Sequence, residues 1–303
     1  MERTIEDMTS RANQSLDILN ALKHKLDRVT LERLYYAFVR SKLEYGSIIW
    51  DNCTDQLSDL LESVQYRAAK IVSGGIHRVS HNIVYKELGW ETLKERRRKQ
   101  RLKVFYKAVK KDTPKYLSDQ VPNPVQNERY NLRGNELLVV PESQTRKFEN
   151  SFFPQTTKEW NELDEETKLS PTFESFKHNL DKNISKPPVW FTTGERRLNV
   201  LHSKMRMLCS SLNDHLYSHI HVIDNPTCAC GHVRENNKHY LHDCHLFNNE
   251  RMKMLAELHK INFDPTVQNL LNGDSESDTK TNIKAFEIIQ TFIDESQRFK
   301  AVQ

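Results

Sequence analysis

Apolar side chains return at three- and four-residue intervals over most of the first 110 positions, the period of an α-helix with one buried face. Residues 13–26 place Leu16, Leu19, Leu22 and Leu26 on one stripe. Thr30 reads as the N-cap of a second helix, in which Leu31, Leu34, Tyr35 and Phe38 fall at i, i+3, i+4 and i+7 and Gly46 marks the end. The clearest periodicity follows Asp55, where Leu57, Leu60, Leu61, Val64, Ala68 and Ile71 trace one stripe until Gly74-Gly75 stops it. Further helices are expected near His81 to Leu88 and over Leu102, Phe105 and Val109. Tyr35, Tyr36 and Tyr45 read as core or rim aromatics. Residues 1–120 are thus expected to form a helical bundle.

The pattern loosens at VPNPVQNERYN, whose Pro and Asn content is that of a linker, and residues 121–185 are expected to form a small mixed unit. It offers one short β-branched run, Leu137 to Val140, and two short helices, one opened by Pro154 and one capped at Ser170-Pro171-Thr172. Beyond Lys186-Pro187-Pro188 a third region, 186–303, begins with Leu198, Leu201, Met205, Leu208 and Leu212 at heptad-like spacing, an apolar edge suited to the bundle or to a partner helix. Helical pattern continues over 246–260, GDSESD from Gly273 to Asp278 reads as a disordered linker, and Ile283, Phe286, Ile289 and Ile293 mark a closing helix. The fold class implied is mainly α: a helical bundle, a small helical or irregular unit, and a C-terminal segment with flanking helices.

Charge changes this picture in one place. The net charge is only +4, but Thr92 to Lys111 carries ten Lys/Arg against the single Glu95. With Leu102, Phe105 and Val109 as an apolar seam, that helix is expected to dock on the bundle and turn Arg96, Arg97, Arg98, Lys99, Arg101 and Lys103 outward, where they could neutralise phosphates of RNA or DNA. Arg196, Arg197, Lys204 and Arg206 on the helix after Pro188 are expected to do the same. No apolar run approaches the roughly 20 residues that span a bilayer, and the N-terminus has no signal-like core, so an intracellular location, nucleus or cytoplasm, is expected without a membrane partner. Five cysteines in such a chain argue for thiols and metal rather than disulfides.

The stretch CACGHVRENNKHYLHDC gives those cysteines a use. Cys228, Cys230, His239 and Cys244 form a Cys3His set, whose thiolates and imidazole suit a tetrahedral ion, most simply a structural zinc. Gly231 supplies the positive φ that a backbone bending around a metal often needs. His232, His242 and His245 are alternative fourth ligands; His239 leaves loops on both sides long enough to wrap an ion. The spacing from His239 to Cys244 matches the second half of a retroviral-type zinc knuckle, whereas C-x-C is tighter than its first half. The acids of LDEETK and GDSESD sit in no constellation that would make them catalytic.

Several strings in shared order carry a resemblance: LYYAFVRSKLEYGSIIW, RYNLRGNELLVVPESQTRKFENSFFPQTTKEWNEL, HSKMRMLCSSLNDHLYS and CACG…HYLHDC. Together they resemble the C-terminal part of the reverse-transcriptase polyproteins of LINE-type non-LTR retrotransposons, over most of the chain. The resemblance implies a thumb-like helical bundle after LEYGSIIW and places Cys228, Cys230, His239 and Cys244 on the family's CCHC motif. It also implies that fingers and palm would precede Met1. Polymerase chemistry needs paired carboxylates on two metal ions, and the sequence has no Asp-Asp pair. The expectation is a non-catalytic remnant that binds zinc and nucleic acid; the alternative is a helical interaction module with a structural zinc and no nucleic-acid role, in which the heptad helix docks a partner or a second copy.

Overall fold

A computed structural model describes residues 2–75, 79–125, 137–182 and 184–300. The chain is mainly α. Its longest helices are Glu2–Leu22, Asp55–Ser73, Leu93–Val109 and Thr279–Glu295, and among the described residues extended pairing is confined to an isolated antiparallel bridge between Pro124 and Leu138. The β-branched run at Leu137–Val140 therefore supplies a bridge and not a strand. Most of the 121–131 linker lies outside the described residues. Among the described residues no helix is long and apolar enough to cross a membrane.

The chain folds into two compact units that do not follow chain order. One comprises Met1–Ser10, Ser41–Ser63 and Glu91–Ile184; the other comprises Arg11–Arg40, Val64–Trp90 and Ser185–Gln303. Residues 1–120 contribute to both, and 186–303 fall wholly in the second. The first unit is centred on the Leu93–Val109 helix, whose Leu102, Phe105 and Tyr106 pack with Leu138, Trp160 and Phe176. Trp160 and Phe176 come from helices Phe152–Asn161 and Phe173–Asp181, and the second of these starts at a Thr172–Ser175 capping box, as the Ser-Pro-Thr signal implies. In the second unit Phe286, Ile289, Phe292 and Ile293 of the closing helix pack with Met205, Leu212, Tyr240, Leu241, Met254 and Leu258.

Local chemistry explains where helices depart from the sequence pattern. The second helix begins at Arg28, capped by Asp27, whose carboxylate accepts from Thr30 N at 2.9 Å; Thr30 is inside the helix. That helix passes into a π-turn at Tyr36–Arg40, and the shift in register buries Val39 while leaving Phe38 54% exposed. The buried positions are Leu31, Tyr35, Val39 and Leu43. The heptad helix stops at Arg206. Leu208 adopts φ +53°, Leu208 N donates to Met205 O and Cys209 N to Lys204 O, a Schellman closure that prevents one helix from carrying Leu208 and Leu212. GDSESD is an ordered turn: Asp274 N donates to Asn282 Oδ1, Asn282 Nδ2 bonds back to Asp274 O, and Asp278 caps Thr279–Glu295.

Candidate metal centre

The two halves of the Cys3His set are presented by different local devices, and both follow from the sequence. At the first half the chain turns tightly: Gly231 N donates to Cys228 O at 2.9 Å and Cys228 N to His232 O at 2.9 Å. Gly231 sits at φ +88° with no atom within 4 Å of where a Cβ would stand, so glycine is required there for its backbone and not for space. Cys228 and Cys230 thus point from one small loop.

At the second half His239–Asp243 is a π-turn, closed by Cys244 N donating to His239 O at 2.7 Å. Residues five apart on an α-helix lie about 140° from each other, but an i→i+5 ring brings them to one side. The π-turn is what lets His239 and Cys244 face the same point. The four ligand atoms lie within 4.8 Å of one another. Cys228 Sγ and Cys244 Sγ are 3.8 Å apart and Cys230 Sγ is 3.2 Å from His239 Nε2. A tetrahedral ion with metal–sulfur distances of about 2.3 Å would hold its sulfurs about 3.8 Å apart. Among the described residues no cysteine is in a disulfide. The donor set and its spacing therefore fit a small tetrahedral cation.

The alternatives for the fourth ligand are placed elsewhere. His232 stacks on the His239 ring at 4.1 Å, is exposed, and turns Nδ1 to Arg234 O at 3.0 Å. His245 is exposed, and neither it nor His242 joins the group. Burial, helped by His232, lowers the His239 pKa and keeps its imidazole neutral, the form that ligates. Burial pushes the Cys228 thiol up to about 12 and moves Cys244 the same way. Cys230 is lowered: burial opposes, but the His232 backbone N–H and hydrogen bonds with the other two thiols outweigh it. Metal binding at such a site displaces thiol protons.

Three charged residues that the sequence pattern did not single out brace the site. Arg251, 5% exposed, donates to Leu241 O at 2.9 Å, Tyr240 O at 3.1 Å and Cys244 O at 2.7 Å, satisfying carbonyls that the π-turn leaves open. Three thiolates on a divalent ion carry one net negative charge, and a buried guanidinium beside Cys244 offsets it. Glu235, 2% exposed, accepts from Asn213 N at 2.9 Å and lies 3.7 Å from Cys228 Sγ, while Arg298 grips both its carboxylate oxygens at 2.6 and 2.5 Å. No local spacing signals these partners, since Arg298 and Glu235 are 63 residues apart.

The basic residues behave differently from the expectation of an outward-facing charge array. In the first unit Arg97, Lys99 and Arg101 are buried, at 3%, 7% and 5% exposure. Arg97 donates to Asp51 at 2.6 Å and to Ser58 at 2.6 Å, Lys99 pairs with Glu91 at 2.5 Å and Asp181 at 3.0 Å, and Arg101 pairs with Asp51 and Glu159. Arg96 meets Glu44, Arg98 meets Glu95 at 3.0 Å, and Lys103 lies 3.9 Å from Asp181. Carboxylates thus meet six of the block's ten cations, five of them through residues distant in sequence, while Lys94, Lys107, Lys110 and Lys111 have no carboxylate partner among the described residues. In the second unit Arg206 pairs with the buried Glu87, Arg197 forms an exposed pair with Asp294, and Arg196 donates to the carbonyls of Lys23, Ile71 and Val72. Lys204 is half-buried, and its ammonium group has no hydrogen-bond or ion-pair partner among the described residues.

Comparison with protein-family models, with curated proteins and with solved structures returns no match.

Proposed function

We propose that this chain is a non-catalytic nucleic-acid-binding module organised around a structural zinc, of the kind that the resemblance places at the C-terminal end of LINE-type reverse-transcriptase polyproteins. The observation that carries the zinc assignment is the closed Cys228, Cys230, His239 and Cys244 set, with ligand atoms within 4.8 Å of one another. Four protein ligands leave no open position for substrate, which is the pattern of structural and not catalytic zinc. The nucleic-acid reading is supported by the resemblance, by the chain's net charge of +4, and by Lys23, Lys25 and Lys204, whose ammonium groups have no ion-pair partner among the described residues. Binding through phosphates releases counterions, so fluorescence anisotropy with a labelled oligonucleotide is expected to show affinity falling steeply with salt. Absence of binding, or affinity indifferent to salt, would sink this reading.

One observation favours a second reading, a helical interaction module with no nucleic-acid role. Arg97, Lys99, Arg101 and Arg206 are engaged in internal ion pairs and cannot reach a phosphate without breaking them. Under that reading the protein flows through a heparin column at low salt and self-associates on a sizing column.

A further inference from the structure

The second unit contains an open cleft of about 1240 Å³ whose charged lining is predominantly basic. Its walls are the end of the Glu2–Leu22 helix with the turn after it, the Asp55–Ser73 helix with Gly74-Gly75, and the Arg196–Arg206 helix with Gly194. Gly74 lets two walls meet, because a Cβ there would stand 2.4 Å from Val200 Cγ1. Seven Lys/Arg line the cleft against three acidic residues, an excess of four that equals the formal net charge of the whole chain.

The three acids offset part of this charge, Asp27 acting on Arg196, but leave the excess in place. Asp27 is occupied as a helix cap for Thr30, Asp17 approaches Arg67 only at 3.9 Å, and Glu195 is exposed. Arg197 alone among the cations has a close carboxylate, Asp294. Arg196 is held by three backbone carbonyls and keeps its charge. The ammonium groups of Lys23, Lys25 and Lys204 have no hydrogen-bond or ion-pair partner among the described residues, and that of Lys70 only overlies the Tyr66 ring at 4.3 Å. The cations also press on one another: burial first, then Arg67, lowers the pKa of Lys70, and burial first, with Arg196 and Lys23 adding to it, lowers that of Lys204. An anion bound there would relieve that repulsion.

The cleft's size and lining narrow the anion. It exceeds the roughly 300–1,000 Å³ of small-molecule pockets, and its walls are open, which suits a polymer. None of its described lining residues is Phe, Tyr or Trp. Single-strand binders depend on such rings to stack bases; a surface of cations without them contacts phosphates alone. Resting on the nucleic-acid reading above, we infer that this cleft, and not the basic helix at 92–111, holds the phosphate backbone of a nucleic-acid duplex through Lys23, Lys25, Lys70 and Lys204, with little discrimination among base sequences.

The test uses the full chain loaded with zinc and a short fluorescent duplex of mixed sequence, with the matching single strand as competitor. Removing Lys23, Lys70 and Lys204 together as Lys→Ala is expected to reduce the slope of log affinity against log salt by about 2.7, since each lost phosphate contact removes about 0.9. Affinity at about 0.1 M salt should fall at least tenfold. The exposed Lys25→Glu variant, which leaves the packing of the cleft untouched, should weaken binding on its own and serves if the triple variant folds poorly, as judged by circular dichroism. Matched removal of Lys94, Lys103 and Lys107 from the Leu93–Val109 helix should leave the slope unchanged. If instead the wild-type chain binds with a salt slope but the cleft variants bind as well as wild type, or the single strand outcompetes the duplex, the cleft assignment is overturned while the nucleic-acid reading stands. A chain that binds neither overturns both.

Discussion

Chelation of the metal, or Cys230→Ser, is expected to open residues 225–250 to limited proteolysis and to leave the core of the first unit protected. The stretch from Thr227 to Phe247 holds few apolar residues, Val233, Tyr240, Leu241, Leu246 and Phe247 being nearly all, and Val233 is 73% exposed. Segments of this size need a staple. Zinc bound to such sets contributes on the order of 10 kcal/mol, most of it as folding free energy. That is comparable to the whole stability of a typical domain, about 5–15 kcal/mol. Because Cys228, Tyr240, Leu241 and Cys244 belong to the same packed cluster as Phe286, Phe292 and Met254, the loss should spread into Asn248–Lys260 and Thr279–Glu295. The cluster of Leu102, Phe105, Trp160 and Phe176 contains none of these residues and should keep its protection. Identical cleavage patterns with and without metal would contradict the organising role of the site.

Glu87→Gln is expected to destabilise the second unit by about 3–5 kcal/mol, the cost of leaving buried charges without their partner. The Glu87 side chain is 4% exposed and sits between two guanidinium groups: Arg28 donates to Oε1 at 2.7 Å and to its backbone carbonyl at 2.5 Å, and Arg206 donates to both carboxylate oxygens at 2.7 and 3.0 Å. Ser203 Oγ adds a bond at 2.8 Å, and Arg206 lies 4.0 Å over the Phe191 ring. Burial works to raise the Glu87 pKa, but Arg206 and Arg28 outweigh it and hold the carboxyl at about 2 against an ordinary 4.5. A carboxyl lowered in the folded state stabilises fully above its unfolded pKa, and that contribution disappears as pH falls toward 2. Urea midpoints should therefore decline in the wild type below about pH 4.5 through this group, and Glu87→Gln should lack that part of the decline. Asp294→Asn, at the exposed pair with Arg197, should change stability by no more than about 1 kcal/mol. A Glu87→Gln protein as stable as Asp294→Asn would show that the network does not hold the unit.

What the sequence discloses and what it hides divide along a physical line. Helix positions set by local chemistry are visible: Asp55–Ser73 ends at Gly74, His81–Leu88 stands where the pattern puts it, and Thr172 caps its helix. The metal set is visible because its ligands are unusual residue types within one short stretch. The fate of the basic helix is not, because the carboxylates that pair with its buried and half-buried cations, Glu44, Asp51, Glu91, Glu159 and Asp181, come from four other places in the chain. A run of ten cations is a local fact, whereas its charge in space depends on tertiary neighbours. The same holds for the cleft, whose lysines are scattered from Lys23 to Lys204 and form no motif. The π-turns are likewise invisible to a 3.6-residue period, although Tyr36–Arg40 decides that Val39 and not Phe38 is buried, and His239–Asp243 decides which histidine joins the cysteines.

X-ray absorption at the zinc edge, with metal stoichiometry from elemental analysis of the purified chain, addresses the centre itself. The expected result is one zinc per chain, three sulfurs at about 2.3 Å and one nitrogen at about 2.0–2.1 Å, a spectrum kept by His232→Ala and lost with His239→Ala. A chain without zinc, a first shell with a different sulfur count, or a spectrum that survives His239→Ala would contradict a Cys228, Cys230, His239 and Cys244 centre.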